Sequence, residues 1–509
     1  MPTHTSRSRA VALVGLASLA GLSGCQTVPA APGRATVAAD LTQRVGHTLP
    51  AQTGPALVTL PPGASLDDGV TEDEAVAIAL WNNAAFQELL ADLGLARGDL
   101  IQAGLLPNPE LLVYFPVTDK PFRYLFDFAL ESVWLRGVRV RSAAGEANRT
   151  ADRLAQAGLD LMRDTRQAYA DVVLARERVR VAGEGVKFRG RIAELAAARL
   201  EAGDVSPQEA ATARIDSLQA GQDAARVGYD VPILEERLRN LMGIGPLRGP
   251  LPLDPSPPPP CLELDPDALT QEAMATRPDA LAAAQAVAAA QARLQFARLG
   301  WVRLLGIGDA TAGRRTGHEL GPGLRVTIPL FNRNQGGIAR AEAELERAVR
   351  NQRTVAYQVI LDVQRATHQY RQGCEELDIL RGKVRPEVDA AIRRAQAAYQ
   401  EGNATYLIVL ATTQQLLDSL LREAVLTADL RRFLAELERS VGRRLVPPTP
   451  PAATAAPAPP TPAPAPPTAA PPVVQIKPAP PASDPLPPAD RRHEVAAGEP
   501  TWTPARADR

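Results

Sequence analysis

The feature that most constrains this chain is an internal repeat. At a spacing of 194 residues, Ala79 matches Ala273, Ala96 matches Ala290, Leu100 matches Leu294, Ala103 matches Ala297 and Leu105 matches Leu299. Further on the spacing becomes 199, and Gly137 meets Gly336, Arg166 meets Arg365, Gly203 meets Gly402, Leu218 meets Leu417, Leu238 meets Leu437 and Gly243 meets Gly442. The step from 194 to 199 falls where a loop is expected. A single Ala or Leu match means little in such a composition. A sustained ungapped register reads as an ancient duplication.

Each half repeats one order of elements. Thr71-Glu-Asp-Glu74 is a capping box, and the helix it opens is expected to run to Leu106, where Pro107-Asn108-Pro109 ends it. Two extended stretches follow, near Glu110–Thr118 and Phe122–Trp134; in the second, Tyr124, Phe126, Phe128 and Leu130 alternate with Leu125, Asp127, Ala129 and Glu131. In the other half Leu324, Val326, Ile328 and Leu330 alternate with Arg325 and Thr327, and Trp301 to Asp309 supplies the partner strand. Long helices come next. Leu154, Leu161, Ala168, Ala175 and Ala182 lie seven apart, and a 3-4 spacing runs from Leu345 to Val384. From Gly137 to Leu200 an unbroken helix would reach about 95 Å, with Gly183, Gly185 and Gly190 as places for it to bend. Turns are expected at Ala202-Gly203-Asp204-Val205 and at Glu401-Gly402-Asn403, and Ser206-Pro207-Gln208-Glu209 restarts a helix.

The low aromatic content, 4%, and apolar positions filled by Ala, Leu and Val suit closely packed long helices better than a β-sandwich. A formal charge of −1 without a sustained basic block gives no reason to expect nucleic acid as a partner. Arg7 and Arg9 precede an apolar stretch from Ala10 to Gly21, which has the form of a secretory signal and is too short to span a membrane. Leu22-Ser-Gly-Cys25 then looks like a lipobox, with Cys25 as the lipid-attachment residue; Gln26, in place of Asp, points to outer-membrane delivery. The expected division is a signal peptide 1–24, a lipid-anchored tether 25–66, a first repeat 67–244, a Pro-rich linker 245–264, a second repeat 265–443 and a Pro/Ala-rich flexible tail 444–509. Cys261 and Cys374 lie in no metal or redox spacing, and in an oxidising compartment they could pair.

Four strands per chain pose a physical problem. The mature chain has no apolar run long enough for a membrane helix, so any crossing must be made by strands. A spanning sheet must close, and closure takes about eight strands or more. One chain cannot close; three copies of four strands give twelve. Tyr124 to Trp134 has the length of a tilted crossing, with Asp127, Glu131 and Arg325 as candidates for the watery inner face. A small soluble hairpin sheet packed on the helices is the competing account.

The order of helix, strand pair, very long helix, tip and return helix, used twice, resembles the TolC family of outer-membrane efflux proteins. Local stretches match family habits: Thr71 to Leu80 followed by Asn82-Asn83, Gln102-Ala-Gly-Leu-Leu-Pro-Asn-Pro109, Arg277-Pro278-Asp279, Ile328-Pro-Leu-Phe-Asn332 and the tip Tyr399-Gln-Glu-Gly402. The stretch before Pro109 is more similar to the heavy-metal cation efflux branch. The resemblance covers residues 66–443. It implies a mainly α fold with a small transmembrane β part: a homotrimer with a twelve-stranded barrel in outer-membrane lipid and an α-helical periplasmic tunnel. It also implies a periplasmic adaptor (membrane fusion) protein and an inner-membrane pump of the RND type, with the duct itself passive.

Family members constrict the inner end with acidic side chains after the tip, but here Gly402 to Ala411 carries no carboxylate. Candidates for the tip and gate are Asp204, Glu209, Tyr399, Gly402 and Tyr406, with Glu209 read first as the capping partner of Ser206 and closure assigned mainly to contacts around Tyr399 and Tyr406. No enzyme or cofactor is expected. His4, His47, His318, His368 and His493 stand in no catalytic or metal-ligand spacing, and no glycine-rich phosphate loop is present. The rival is a lipid-tethered periplasmic coiled-coil spacer without a pore, which leaves the alternating strand pairs unexplained.

Overall fold

A computed structural model describes residues 30–50, 58–117, 120–254, 257–313 and 317–446. Cys25 of the expected lipobox and the Pro/Ala-rich stretch from residue 447 onward lie outside the described residues. The body opens with helices α1 (Arg34–Val45), α2 (Glu72–Asn82) and α3 (Ala84–Gly104), then strands β1 (Glu110–Tyr114) and β2 (Phe122–Ala129), then α4 (Glu131–Glu201), α5 (Pro207–Gly228) and α6 (Asp230–Leu241). The second half follows the same order: α7 (Pro266–Thr276), α8 (Pro278–Leu299), β3 (Leu304–Gly313), β4 (Gly317–Val326), α9 (Gln335–Ile379), a π-helical turn (Leu380–Val384), α10 (Arg385–Gln400) and α11 (Tyr406–Val441). The fold is mainly helical, with a long-helix pair and a strand pair in each repeat, as the sequence implies.

The capping box at Thr71 forms in both directions: Thr71 Oγ1 accepts from Glu74 N at 3.2 Å, and Glu74 Oε2 accepts from Thr71 N at 2.9 Å. The helix it opens does not continue to Leu106. Asn83 takes an extended backbone (φ −60°, ψ 116°), caps α3 by accepting from Phe86 N, and donates its side-chain amide to Leu241 O at 2.9 Å. The second half copies this joint. Arg277 takes the place of Asn83, also extended (φ −66°, ψ 130°), and donates to Ser440 O at 3.2 Å. Facing each joint is the glycine that ends the last helix of that half: Gly243 (φ +67°) against Asn82, and Gly442 (φ +90°) against Arg277. A positive φ and a backbone neighbour together leave no easy place for a Cβ.

At 71 residues, α4 is about 106 Å long. Its ladder runs unbroken through Gly183, Gly185 and Gly190. Gly185 serves as a point of close approach, where a Cβ would lie 3.1 Å from Leu417 Cδ1 on α11. Gly145 does the same for Ala289 on α8, and Gly158 for Leu41 of α1. The matching helix of the second half is broken by its π turn. Pro386 supplies no N–H and its ring crowds the carbonyl four residues back; the turn widens so that Arg385 N donates to Leu380 O, five residues back.

One core fills the first half around Leu80, Phe86, Leu159 and Met162, and another fills the second around Val363, Tyr370, Leu430 and Leu437. The linker is held to both. Tyr169 Oη reaches the carbonyls of Val70 and Asp254 at 3.1 and 2.9 Å, while Tyr370 Oη donates to Pro260 O at 2.5 Å and accepts from Leu262 N at 3.2 Å. Beside Tyr370 the structure joins Cys261 to Cys374 in a disulfide.

The four strands form one antiparallel sheet in the order β1-β2-β3-β4, with β1 and β4 at its edges. They are shorter or shifted relative to the sequence expectation. β2 ends at Ala129, so Glu131 to Trp134, expected in a strand, are the first residues of α4. Glu131 starts the helix because its carboxylate suits the positive N-terminal end of α4 and accepts from Leu304 N at 3.1 Å. Likewise β4 ends at Val326, leaving Ile328 and Leu330 beyond the strand.

Candidate functional site

Register sorts the sheet into two unlike faces. Opposite Phe126 stand Leu111 and Gly308, and opposite Gly306 stand Phe128 and Leu324; with Phe122, Tyr124, Leu320 and Val326 these residues make one apolar face. It is exposed in the single chain: Leu111 at 63%, Leu320 at 77% and Leu324 at 60%. Apolar surface of this kind on a sheet with two open edges is a site for association or for lipid.

The other face carries charge. Arg123 and Asp309 form a bidentate pair across β2 and β3, with Nε–Oδ1 3.0 Å and Nη2–Oδ2 2.6 Å. Arg325 on β4 reaches over β3 to Asp127 on β2, Nη1–Oδ2 3.7 Å. Asp127 and Arg325 therefore meet on one face, as their alternation predicts. Glu131 lies just past the strand, on the helix. Sequence reasoning missed Arg123 and Asp309. Arg123 has the same odd phase as Asp127 and is open to the same argument; the face of Asp309 is set by the register of β3 against β2, which places it opposite Leu125.

At the far end of the long helices the two turns are copies. Gly203 and Gly402 are left-handed (φ +79° and +80°). Asp204 N donates to Arg199 O and Asn403 N to Ala398 O, each at 2.8 Å. Asp204 and Gly402 are exposed at the apices, and Ser206 Oγ accepts from Glu209 N at 3.2 Å. Tyr399 and Tyr406 are buried together with Ile192, Ala196, Ala213 and Val409, so one cluster ties both tips. Arg199 lies over the Tyr399 ring, 5.1 Å from its centre. Tyr406 Oη donates to Asp216 Oδ2 on α5 at 2.5 Å; burial first, then this carboxylate, push the phenol pKa above its ordinary value. Asp216 and Tyr406 are 190 residues apart, and no local spacing signals their contact.

Midway along α4 a buried charge cluster joins the halves. Arg166 meets Glu438 of α11, Asp73 at 3.3 Å and Glu72 at 3.5 Å. Burial opposes the charge of Arg166, yet the carboxylates of Glu438, Glu72 and Asp73 hold its pKa above the ordinary arginine value. Glu438 also accepts from Leu445 N at 2.8 Å and Val446 N at 3.2 Å, and Arg444 N donates to Arg44 O at 2.8 Å. The two ends of the body are thus fastened side by side. Among the described residues no group of three or more His, Cys, Asp or Glu is placed to hold a metal ion, and no helix is long and apolar enough to cross a membrane.

Residues 135–244 and 269–443 match the family described as outer membrane efflux protein. The cobalt-zinc-cadmium resistance protein CzcC of Cupriavidus metallidurans is 24% identical over 385 residues, which is 74% of this chain and 90% of that protein. Among solved structures, the outer-membrane channel OprN superposes with a TM-score of 0.63 at 18% identity, covering 77% of this chain and 98% of the other. CusC, whose structures concern folding and transmembrane channel formation, gives the same values.

Proposed function

The chain belongs to the outer membrane efflux protein family, and from that premise we propose how its parts form an exit duct. Its task is efflux through the outer membrane by a channel, without an enzymatic step. Three copies join edge to edge, β4 of one against β1 of the next, closing twelve strands into a barrel. The apolar face around Phe126, Leu320 and Leu324 meets lipid; Asp127 and Arg325 line the water-filled lumen, with Glu131 at its periplasmic mouth. The long helices continue the pore into the periplasm. The single observation behind this reading is the open four-stranded sheet, apolar on one face and charged on the other. A soluble hairpin packed on its own helices would have covered that apolar face.

At the inner end, a periplasmic adaptor and an inner-membrane pump of the RND class would deliver cargo to the tip formed by Asp204, Glu209, Tyr399, Gly402 and Tyr406. Similarity to a cobalt-zinc-cadmium resistance protein favours heavy-metal cations as that cargo. The N-terminal Cys25 would carry the lipid anchor. The division into tether, two repeats, linker and tail belongs to the same proposal.

Detergent extracts should contain trimers that dissociate on heating and open channels in planar bilayers. A water-soluble monomer after removal of Cys25 would leave only a tethered spacer and end the proposal. For the gate, Tyr406→Ala should raise the closed-state current, because the bond to Asp216 and the packing against Tyr399 are lost together. An unchanged closed-state current would remove Tyr406 from that role.

A further inference from the structure

The helices beneath the sheet follow the order of its strands: α3 leads up to β1, α4 away from β2, α8 up to β3 and α9 away from β4. Inside one chain α4 packs between α3 and α8, and α8 between α4 and α9. Helices α3 and α9 end the row, so each keeps an open flank. The repeat says which residues stand on it, because α9 copies α4 at a spacing of 199 and α8 copies α3 at a spacing of 194. The contact of α3 with α4 already has its copy in that of α8 with α9. Arg136 Nε donates to Gly104 O at 2.6 Å in the first, and Asn334 Nδ2 to Ala297 O at 3.0 Å in the second. The contact of α4 with α8 has no copy within the chain.

That contact is close: a Cβ on Gly145 of α4 would stand 3.1 Å from Ala289 Cβ on α8. Carried over by the two spacings, the same place is Glu344 on α9 and Leu95 on α3. Leu95 is an apolar side chain left 70% exposed. Helices α3 and α9 run in opposite directions, so a step onward along one is level with an equal step back along the other. Arg347 is thereby level with Asp92, Arg340 with Asp99, and Ala348 with Ala91, where small side chains leave room for the approach. Each of these lies three or four residues from Glu344 or Leu95 and shares its helix face. The four charged residues are exposed. Among the described residues Asp92, Asp99 and Arg347 join no ion pair of their own chain, and Arg340 has only Glu344, at 2.9 Å. We propose that α9 of one copy packs on α3 of the next in the register that α4 takes on α8, with Arg340 and Arg347 facing Asp99 and Asp92 of that copy. The occupant of the open flank is a second copy because the repeat supplies the register and the opposite charges supply the attraction. The inference rests on the duct reading and carries its seam from β4 and β1 down into the helices.

The test is a covalent link between copies in full-length trimers. A disulfide needs Cβ atoms within roughly 3.5–4.5 Å, which the proposed register provides at Leu95 and Glu344. Treated in membranes with copper(II)–phenanthroline, L95C/E344C should run as covalent dimers and trimers on a non-reducing denaturing gel, and neither single variant should do so. L95C/T354C, ten residues off register, should give at most about a tenth as much. Without any added cysteine, R347D and D92R should each lower the temperature at which trimers dissociate by about 3–5 °C, and R347D/D92R should recover most of that loss. Intact trimers without the L95C/E344C bond overturn the register, as does equal bonding of L95C/T354C. If L95C/E344C does not assemble, R347D/D92R trimers no more stable than those of the single variants overturn it instead. Wild-type protein that forms no trimer overturns the duct reading itself.

Discussion

In the first half the outgoing helix α4 runs from Glu131 to Glu201 without a break, while its copy is split at Leu380–Val384 ahead of Pro386. Arg166 of α4 is buried at 3% exposure among three carboxylates, while its counterpart Arg365 on α9 is exposed. Glu438, which meets Arg166, corresponds to Arg239 in the first half, and Arg239 donates to the carbonyls of Leu247 and Gly249. Yet Asn83 and Arg277 donate to equivalent carbonyls, Leu241 O and Ser440 O, a left-handed glycine faces each joint, and the backbone hydrogen bonds of the two tips correspond. Duplication preserved the places where backbone meets backbone, because steric exclusion tolerates little there. Charged side chains were free to diverge, and the surviving buried cluster lies at the seam between the halves.

The comparison can be broken most sharply at the seam. Arg166→Met leaves Glu438 buried without its cation and should cost about 3–5 kcal/mol in chemical denaturation, whereas Arg365→Met should stay within about 0.5 kcal/mol. Equal losses would mean that the copies are not as different as their burial.

Next come the joints. A Cβ on Gly243 would fall 2.1 Å from Asn82 O at a positive φ, and the nearest atom for one on Gly442 is Arg277 Cα at 3.3 Å. Gly243→Ala should therefore cost roughly 3 kcal/mol and Gly442→Ala roughly 1–2 kcal/mol, read as lowered melting of the trimer. The reverse order would refute the steric account.

The seam also has an acid limit. Burial, with Arg444 and Arg166 adding to it against the opposing pull of Asp73, lowers the pKa of His47 to about 4. Between an unfolded value near 6.5 and about 4, the unfolded chain binds the extra proton, so stability rises with pH there and is lost as pH falls. The loss should be on the order of 2 kcal/mol by pH 4 once partial exposure is allowed for, and should shrink in His47→Gln; the same acid profile in both proteins would exclude His47.

The smallest effect belongs to the tips. Ser206 accepts from Glu209 N, but Thr405, its counterpart, makes no side-chain cap. Ser206→Ala should cost about 1 kcal/mol and Thr405→Ala close to nothing by the same melting assay.

Linear order alone settled much of this protein. Period-seven apolar positions, two copies of one plan, turn glycines at Gly203 and Gly402 and the alternation around Phe126 and Asp127 are local or repeating signals, and the helices, strands and sheet faces follow from them. Helix ends were less legible: the alternation that begins at Phe122 carries on to Glu131, and the bond from Leu304 N that Glu131 accepts at the start of its helix comes from a residue 173 positions away. The Tyr406–Asp216 bond, the Arg123–Asp309 pair and the Cys261–Cys374 disulfide join residues 190, 186 and 113 positions apart. No periodicity encodes such contacts. They depend on which faces the packed helices and registered strands bring together, and this is decided only when the whole chain closes on itself.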